Sequence, residues 1–83
     1  MAEVAAKVTC RIMGEDYVIR AKAPTEYVLA LAAKVDECMR RAVEADPRLS
    51  PRQAAVLAAL NFAHERQRAV ERQSKLISVI ESM

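Results

Sequence analysis

The chain has 83 residues, with one glycine, three prolines, 4% aromatic residues and a formal net charge of +2. This length allows one small core plus an extended element, and it leaves no room for a second core. The composition is typical of an ordered, mainly helical chain, and a charge this small gives no independent reason to expect nucleic-acid binding.

A β-hairpin is predicted after residues 1–6, which we expect to form a flexible terminus. Apolar and polar residues alternate over residues 7–13 and again over residues 17–22, as in two half-buried strands. Gly14-Glu15 lies between them and suits a two-residue type II′ turn with glycine first. The predicted cross-strand pairs are Ile12 with Tyr17, Cys10 with Ile19, and Val8 with Ala21. These pairs place the apolar faces of both strands on one side.

An amphipathic helix is predicted from Thr25 to about Ala45. Thr25 is a suitable N-cap, and Glu26 is favourable in the first turn. The expected packing face consists of apolar residues at helical spacing: Val28, Leu31, Ala32, Val35, Cys38, Met39 and Ala42. The pair Asp46-Pro47 disfavours helical geometry at Asp46 and ends the helix.

A second, much longer helix is predicted from Pro51 to the end of the sequence. Ser50 is a strong N-cap, Gln53 completes a capping box, and Pro51 suits the first helical position. With Val56 at heptad position a, the a series is Val56, Ala63, Val70 and Ile77, and the d series is Ala59, Arg66, Gln73 and Ile80. Six of these eight positions are apolar, which predicts a coiled coil.

Self-association through the long helix is therefore expected, with an oligomer interface of Val56, Ala59, Phe62, Ala63, Val70, Leu76, Ile77 and Ile80. The alternative is a single helix folded back on its own domain. Leu57 and Leu60 are expected to point towards a head, and Asn61 to be a buried amide bonded to backbone. The predicted fold is α+β and mainly helical, with a head over residues 7–63 and a coiled-coil rod over residues 64–83.

No catalytic, metal or cofactor site is predicted. One glycine cannot build a phosphate-binding loop, and the only histidine, His64, falls at a polar surface position. Cys10 and Cys38 lack metal-ligand spacing and are expected to be free, buried thiols in a reducing compartment. No signal peptide or membrane-spanning run is recognisable, so we expect a cytoplasmic protein.

Four arginines gather around the turn between the two helices: Arg40, Arg41, Arg48 and Arg52. Glu37, Glu44 and Asp46 lie among them. Two interpretations are open, an ordinary solvated helix surface and a docking patch for an acidic partner. We call these four residues the arginine patch.

Several segments resemble the ZapA family of bacterial cell-division proteins associated with the tubulin-like FtsZ ring. They are VTCRIMGEDY at residues 8–17, PTEYVLALAAKVDECM at residues 24–39, PRLS at residues 47–50 and VLAALNFA at residues 56–63. Together with the spacing between them, the resemblance covers roughly residues 8–66. The sequence ends at Met83, earlier than the longer family members, so a short rod is expected.

The resemblance implies a dimer with heads at one end of a coiled coil, and two dimers joined through their rods as a tetramer. It also implies binding, cross-linking and bundling of FtsZ filaments at midcell, without enzymatic activity, cofactor, nucleic acid or membrane. The alternatives are a coiled-coil adaptor for another partner and a small dimeric nucleic-acid-binding protein. Scattered Lys and Arg residues with acids between them argue against nucleic acid.

Overall fold

The computed structural model describes the backbone of residues 5–81 and the side chains of residues 5–74. The chain forms strand β1 (Ala6–Ile12), strand β2 (Glu15–Ala21), helix α1 (Thr25–Ala45) and helix α2 (Pro51–Glu81). The predicted fold class, a β-hairpin followed by a helix and a long helix, is confirmed. The division into a head at residues 7–63 and a rod at residues 64–83 stays a prediction.

The hairpin turn lies one residue earlier than predicted. Its central residues are Met13 and Gly14, with φ of 53° and 79°, so both have the positive φ of a type I′ turn. Val8 therefore pairs with Ile19, and Cys10 with Tyr17, and the predicted II′ turn and register are wrong. The pairing differs by two residues, which keeps every side chain on its predicted face.

Helix α1 covers β1 and forms the first part of the core. Val8 and Cys10 are buried from the strand, and Val28 and Ala32 are buried from the helix. Pro24 occupies the N-cap position and no side chain caps the helix, so the predicted cap at Thr25 is wrong. Leu31, predicted on the packing face, is 43% exposed. The face that packs is centred on Val28, Ala32 and Met39 instead.

Helices α1 and α2 meet through the second part of the core, where Met39 packs with Ala54 and Ala58. Alanine has almost no side chain, so two alanines one turn apart let the helices approach closely. Met13 and Phe62 pack around this cluster. The turn of the hairpin and the start of α2 are thereby joined through α1.

The predicted start of α2 is confirmed. The Gln53 amide nitrogen lies 3.1 Å from Ser50 Oγ, and the Ser50 amide nitrogen lies 2.9 Å from Gln53 Oε1. These reciprocal bonds form the capping box. The helix then continues for 31 residues, roughly 46 Å at ~1.5 Å per residue. The radius of gyration is 17.0 Å, against about 12 Å for a compact chain of this length.

Asp36 connects the hairpin turn to α1. Its Oδ1 accepts a hydrogen bond from the Met13 amide nitrogen at 2.7 Å, and its Oδ2 accepts one from Arg40 Nε at 2.8 Å. The Met13 bond lowers the pKa of Asp36 and Arg40 lowers it further, against an opposing effect of partial burial. The carboxylate thus satisfies a backbone donor that the type I′ turn leaves unpaired.

We predict that Gly14→Val destabilises the protein by roughly 1–3 kcal/mol, because a β-branched residue is strained at positive φ. A Cβ at Gly14 would meet no atom within 4 Å, so the cost comes from the backbone and not from a clash. Gly14→Asn is the control, since asparagine tolerates this conformation. Thermal unfolding measures both, and equal melting temperatures for wild type and Gly14→Val would contradict the turn.

We also predict that Asp36→Ala lowers the melting temperature at neutral pH. A lowered native pKa means that the ionised carboxylate stabilises the fold above the unfolded pKa of about 3.9. This contribution is lost as the pH falls through the native value. The difference in melting temperature between wild type and Asp36→Ala should therefore be largest above about pH 5. It should shrink as the pH falls below the unfolded pKa of about 3.9 and then through the lower native pKa. Asp36→Asn keeps an acceptor for Met13 and should lie between the two; a gap independent of pH would exclude the ionised carboxylate.

Candidate interaction surfaces

An uncovered apolar strip runs along α2. It consists of Val56, Ala59, Ala63 and Val70, four of the predicted interface residues. Val56 is 56% exposed and Val70 is 50% exposed, and both alanines are exposed. Within one chain, no described residue covers this apolar strip.

The other predicted interface residues are placed differently. Phe62 is half-buried against Met39, Ala54 and Ala58, so it belongs partly to the core between the helices. Leu76, Ile77 and Ile80 lie outside the described side chains. The structure therefore brings four of the eight residues onto one exposed strip and leaves their role as an interface a prediction.

Leu57 and Leu60 do not face the head, and this expectation is wrong. They are 45% and 62% exposed. The contact with α1 uses Ala54 and Ala58, and each residue of a helix is turned by about 100° from the one before it. Leu57 consequently lies on the flank of α2, where it joins Leu49 and Val56 around a shallow groove.

A second surface, which the sequence did not indicate, lies beneath the hairpin. An open cleft of about 610 Å³ is lined by Tyr17 and Ile19 of β2, Met39 of α1, and Arg52 and Ala55 of α2. Tyr17 is 46% exposed and Ile19 is 37% exposed, although both lie on the inner, core-side face of the hairpin. Strand β2 therefore extends beyond the helices, and its apolar face is only partly covered.

The tyrosine at the mouth of the cleft has a fixed hydroxyl group. Tyr17 Oη lies 2.9 Å from Glu15 Oε2. The hydrogen bond to Glu15 raises the pKa of Tyr17, and the negative charge of that carboxylate raises it further. The hydroxyl therefore stays protonated at neutral pH and donates its hydrogen bond to Glu15.

Three residues of the arginine patch form ion pairs with neighbouring carboxylates. Arg40 lies 2.8 Å from Asp36, and Arg41 Nη2 lies 2.7 Å from Glu37 Oε1. Arg48 Nε lies 3.1 Å from Asp46 Oδ1; this bond and the Arg48 amide lower the pKa of Asp46. Among the described residues, Arg52 has no carboxylate within salt-bridge distance.

The four arginines also point to different places. Arg52 lines the cleft beneath the hairpin, whereas Arg41 lines a separate groove between the helices with Lys34, Asn61 and Glu65. The structure therefore does not gather all four into one surface. Arg48, 91% exposed at its side chain, and Arg52 are the two nearest the start of α2.

The structure also places the other reactive or polar residues that the sequence singled out. His64 is exposed, as predicted. Asn61 is exposed and its Nδ2 lies 3.7 Å from Cys38 Sγ, so its predicted burial against backbone is wrong. Cys10 is a buried free thiol, but Cys38 is only half-buried, which corrects the prediction of two buried thiols.

Two further findings limit the kinds of site in the described part of the chain. No group of three histidine, cysteine, aspartate or glutamate residues there is arranged to hold a metal ion. No helix in that part combines the length and apolar character needed to cross a membrane.

Comparisons with solved structures find the same fold elsewhere. A ZapA mutant dimer from Geobacillus stearothermophilus is 30% identical over 93% of this chain and 90% of that chain, with a TM-score of 0.72. An unknown conserved bacterial protein from Pseudomonas aeruginosa PAO1 is 24% identical over 92% of this chain and 85% of that chain, with a TM-score of 0.73. The second likeness concerns the fold alone. A comparison with curated proteins finds no match.

The family comparison covers nearly the whole chain. The sequence pattern of the family described as Cell division protein ZapA matches residues 8–83. This range includes all but the first two residues of the hairpin, both helices and the apolar strip, and it extends beyond the segments whose resemblance the sequence alone suggested. The chain therefore belongs to the ZapA family of cell division proteins.

Proposed function

We propose that this protein is a non-enzymatic cytoplasmic protein that binds FtsZ filaments at midcell and cross-links them as a multivalent homo-oligomer. The observation that carries the proposal is the uncovered apolar strip on α2. Val56 and Val70 are half or more exposed, in a chain that belongs to a cell-division family. A partner helix would remove both from water.

The small core of the single chain supports self-association. The described residues bury only seven apolar side chains, three of which are alanines, while ten large apolar side chains are exposed. Burying one large aliphatic side chain is worth roughly 1.5–3 kcal/mol. A second copy that covered the exposed apolar residues on one strip of α2 would therefore stabilise the protein. The related protein from Geobacillus stearothermophilus, described as a dimer, supports the same assembly.

Residues 63–74 of α2 are not stabilised by burial within one chain. Every side chain of α2 from Ala63 to Ser74 is exposed, and an isolated helix of this length is marginal in water. Pairing the helices through the a and d positions would stabilise them. We propose that Leu76, Ile77 and Ile80 extend this interface and that two dimers join through their rods as a tetramer.

Filament cross-linking follows from valency. One head that binds a filament weakly gains avidity when it is tethered to a second head. Two tethered heads also hold two neighbouring filaments together. We propose that the acidic partner contacts residues of the arginine patch. Arg52 contributes most because it has no carboxylate within salt-bridge distance among the described residues, and Arg48 follows because its side chain stays 91% exposed beside Asp46.

We predict that the double change Arg48→Glu, Arg52→Glu abolishes co-sedimentation with FtsZ filaments and leaves the oligomer intact. Reversing two exposed charges replaces attraction by repulsion towards an acidic surface. Wild-type binding should also weaken with added salt, because charges separated by more than ~8–10 Å are screened near physiological ionic strength.

Arg68→Glu, Arg72→Glu is the matched control for this experiment. Both residues are exposed on α2, they fall at heptad positions outside the a and d series, and the change in net charge is the same. The control should still sediment with filaments. Equal binding by both double variants would remove the arginine patch from the mechanism, and a DNA mobility-shift at moderate salt tests the nucleic-acid alternative.

We predict that Ile77→Glu, Ile80→Glu breaks assembly through the distal rod. By the heptad register these are the largest apolar a and d residues, and a carboxylate in their place would be buried without a partner. Light scattering should show a fall from tetramer to dimer or monomer. Filament bundles seen by electron microscopy should disappear, because valency is lost.

Ser74→Glu, Ser78→Glu introduces the same two charges outside the a and d series and should leave assembly unchanged. If Ile77→Glu, Ile80→Glu stays tetrameric, the heptad register is wrong. A smaller oligomer that still bundles filaments would show that valency through the rod is not the mechanism.

A further inference from the structure

Strand β2 is an open edge of the two-stranded sheet. All six residues from Glu15 to Arg20 are exposed. The turn places Ile12 opposite Glu15, and hydrogen-bonded pairs alternate along an antiparallel ladder. The backbone N–H and C=O groups of Asp16, Val18 and Arg20 therefore point away from β1. None of these three residues makes a backbone hydrogen bond outside the ladder to another described residue.

The sequence of β2 is complementary to itself when the strand is turned around. In an antiparallel pair centred on Val18, Asp16 of one copy lies opposite Arg20 of the other, and Arg20 lies opposite Asp16. Val18, which is 66% exposed, lies opposite its own copy. In the same register, Asp16, Val18 and Arg20 all fall at hydrogen-bonded positions of the new ladder. These are the three residues whose backbone groups point outward, so every outward group finds a partner.

The charges within the hairpin favour this pairing. Lys7 lies directly opposite Arg20, and like charges at opposed positions destabilise a sheet. Neither side chain has a carboxylate partner among the described residues. The Asp16 carboxylate of a second copy would lie on the other side of Arg20 and relieve this repulsion. Asp16 already lies 3.3 Å from Arg11 Nη1, so it would be flanked by two arginines.

The outer edge of β1 lacks this property. Its outward residues are Lys7, Thr9 and Arg11, and a pair centred on Thr9 would place Lys7 opposite Arg11 of the second copy. Two such like-charge contacts oppose pairing, which is a common way to protect an edge strand. The two edges of the hairpin therefore differ, and the charges favour β2 alone.

The inner face of β2 gains from the same arrangement. Tyr17 would lie beside Ile19 of the second copy, and both side chains line the open cleft beneath the hairpin. Cross-strand aromatic and β-branched pairs contribute roughly 0.2–1 kcal/mol each. The cleft would then continue from one copy into the next.

We propose that two copies of this chain join edge to edge through β2, forming a four-stranded antiparallel sheet in the order β1–β2–β2–β1 about a twofold axis at Val18. The occupant of the β2 edge is a second copy of the same strand. This inference rests on the self-association in the proposed function, but it places a second contact in the head, separate from the apolar strip on α2.

Cross-linking at Val18 tests the pairing directly in the full chain. In a background of Cys10→Ala and Cys38→Ala, V18C places two cysteines about 5.5 Å apart between Cα atoms, within the range for a disulfide. Mild oxidation should convert most of the protein to a covalent dimer. T9C is the matched control, because Thr9 lies directly opposite Val18 in the hairpin and its copies would be about 14 Å apart across three strand spacings. No dimer from V18C, or equal dimers from both variants, overturns the proposal.

Charge exchange provides a test that does not depend on cysteine geometry. D16R and R20D should each weaken self-association about tenfold or more, since each creates two like-charge contacts. An equimolar mixture of D16R and R20D restores two opposite-charge contacts and should associate like wild type. The double variant D16R/R20D should do so as well. Sedimentation velocity across a dilution series measures these constants, and circular dichroism checks that each variant folds. Folded single variants with wild-type association would overturn the proposal, as would a mixture no tighter than its components.

The same variants separate this proposal from the proposed function. If V18C does not cross-link but the chain still assembles and sediments with FtsZ filaments, the edge pairing fails and the proposed function stands. If V18C cross-links and filaments are not bound, the proposed function fails and the edge pairing stands.

Discussion

The turn at Met13 and Gly14 connects every other element of the protein. Met13 adopts a positive φ, a conformation that costs a residue other than glycine roughly 1–2 kcal/mol. Two interactions offset this cost. Its amide nitrogen lies 2.7 Å from Asp36 of α1, and its side chain packs around Met39, Ala54 and Ala58. Asparagine is a frequent residue at this turn position, but it would lack the apolar contact with the helices.

The capping box at the start of α2 and the C-terminal end of α1 were predictable because their signals are local. Ser50 and Gln53 form the expected reciprocal bonds, and Asp46 has the extended conformation expected before proline, with φ −140° and ψ 94°. Such features depend on side-chain and backbone groups that lie within four residues of each other in the sequence. The hairpin register was not predictable from alternation, because a shift of two residues preserves the face of each side chain.

The orientation of α2 was harder to predict because hydrophobicity and packing favour different residues. Leu57 and Leu60 are more apolar than Ala54 and Ala58, so burial alone favours the leucines. Close approach of two helices favours alanine, and Ala54 and Ala58 form the contact. The leucines are left on the flank, 45% and 62% exposed. The cleft and the ion pairs of Arg40 and Arg41 also depend on how separate elements meet, which no single segment specifies.

The proposed contacts in the rod and in the head have different physical consequences. An apolar strip on a helix tolerates several partners, because hydrophobic burial is not directional. Strand pairing fixes both partner and register, since hydrogen bonds and the charges of Asp16 and Arg20 must match at once. Pairing about a twofold axis is also closed, because each copy uses the same edge. The remaining edges carry Lys7 and Arg11, whose like charges oppose a further copy, so the proposed sheet would end at four strands and the heads would join in pairs without growing into a fibre.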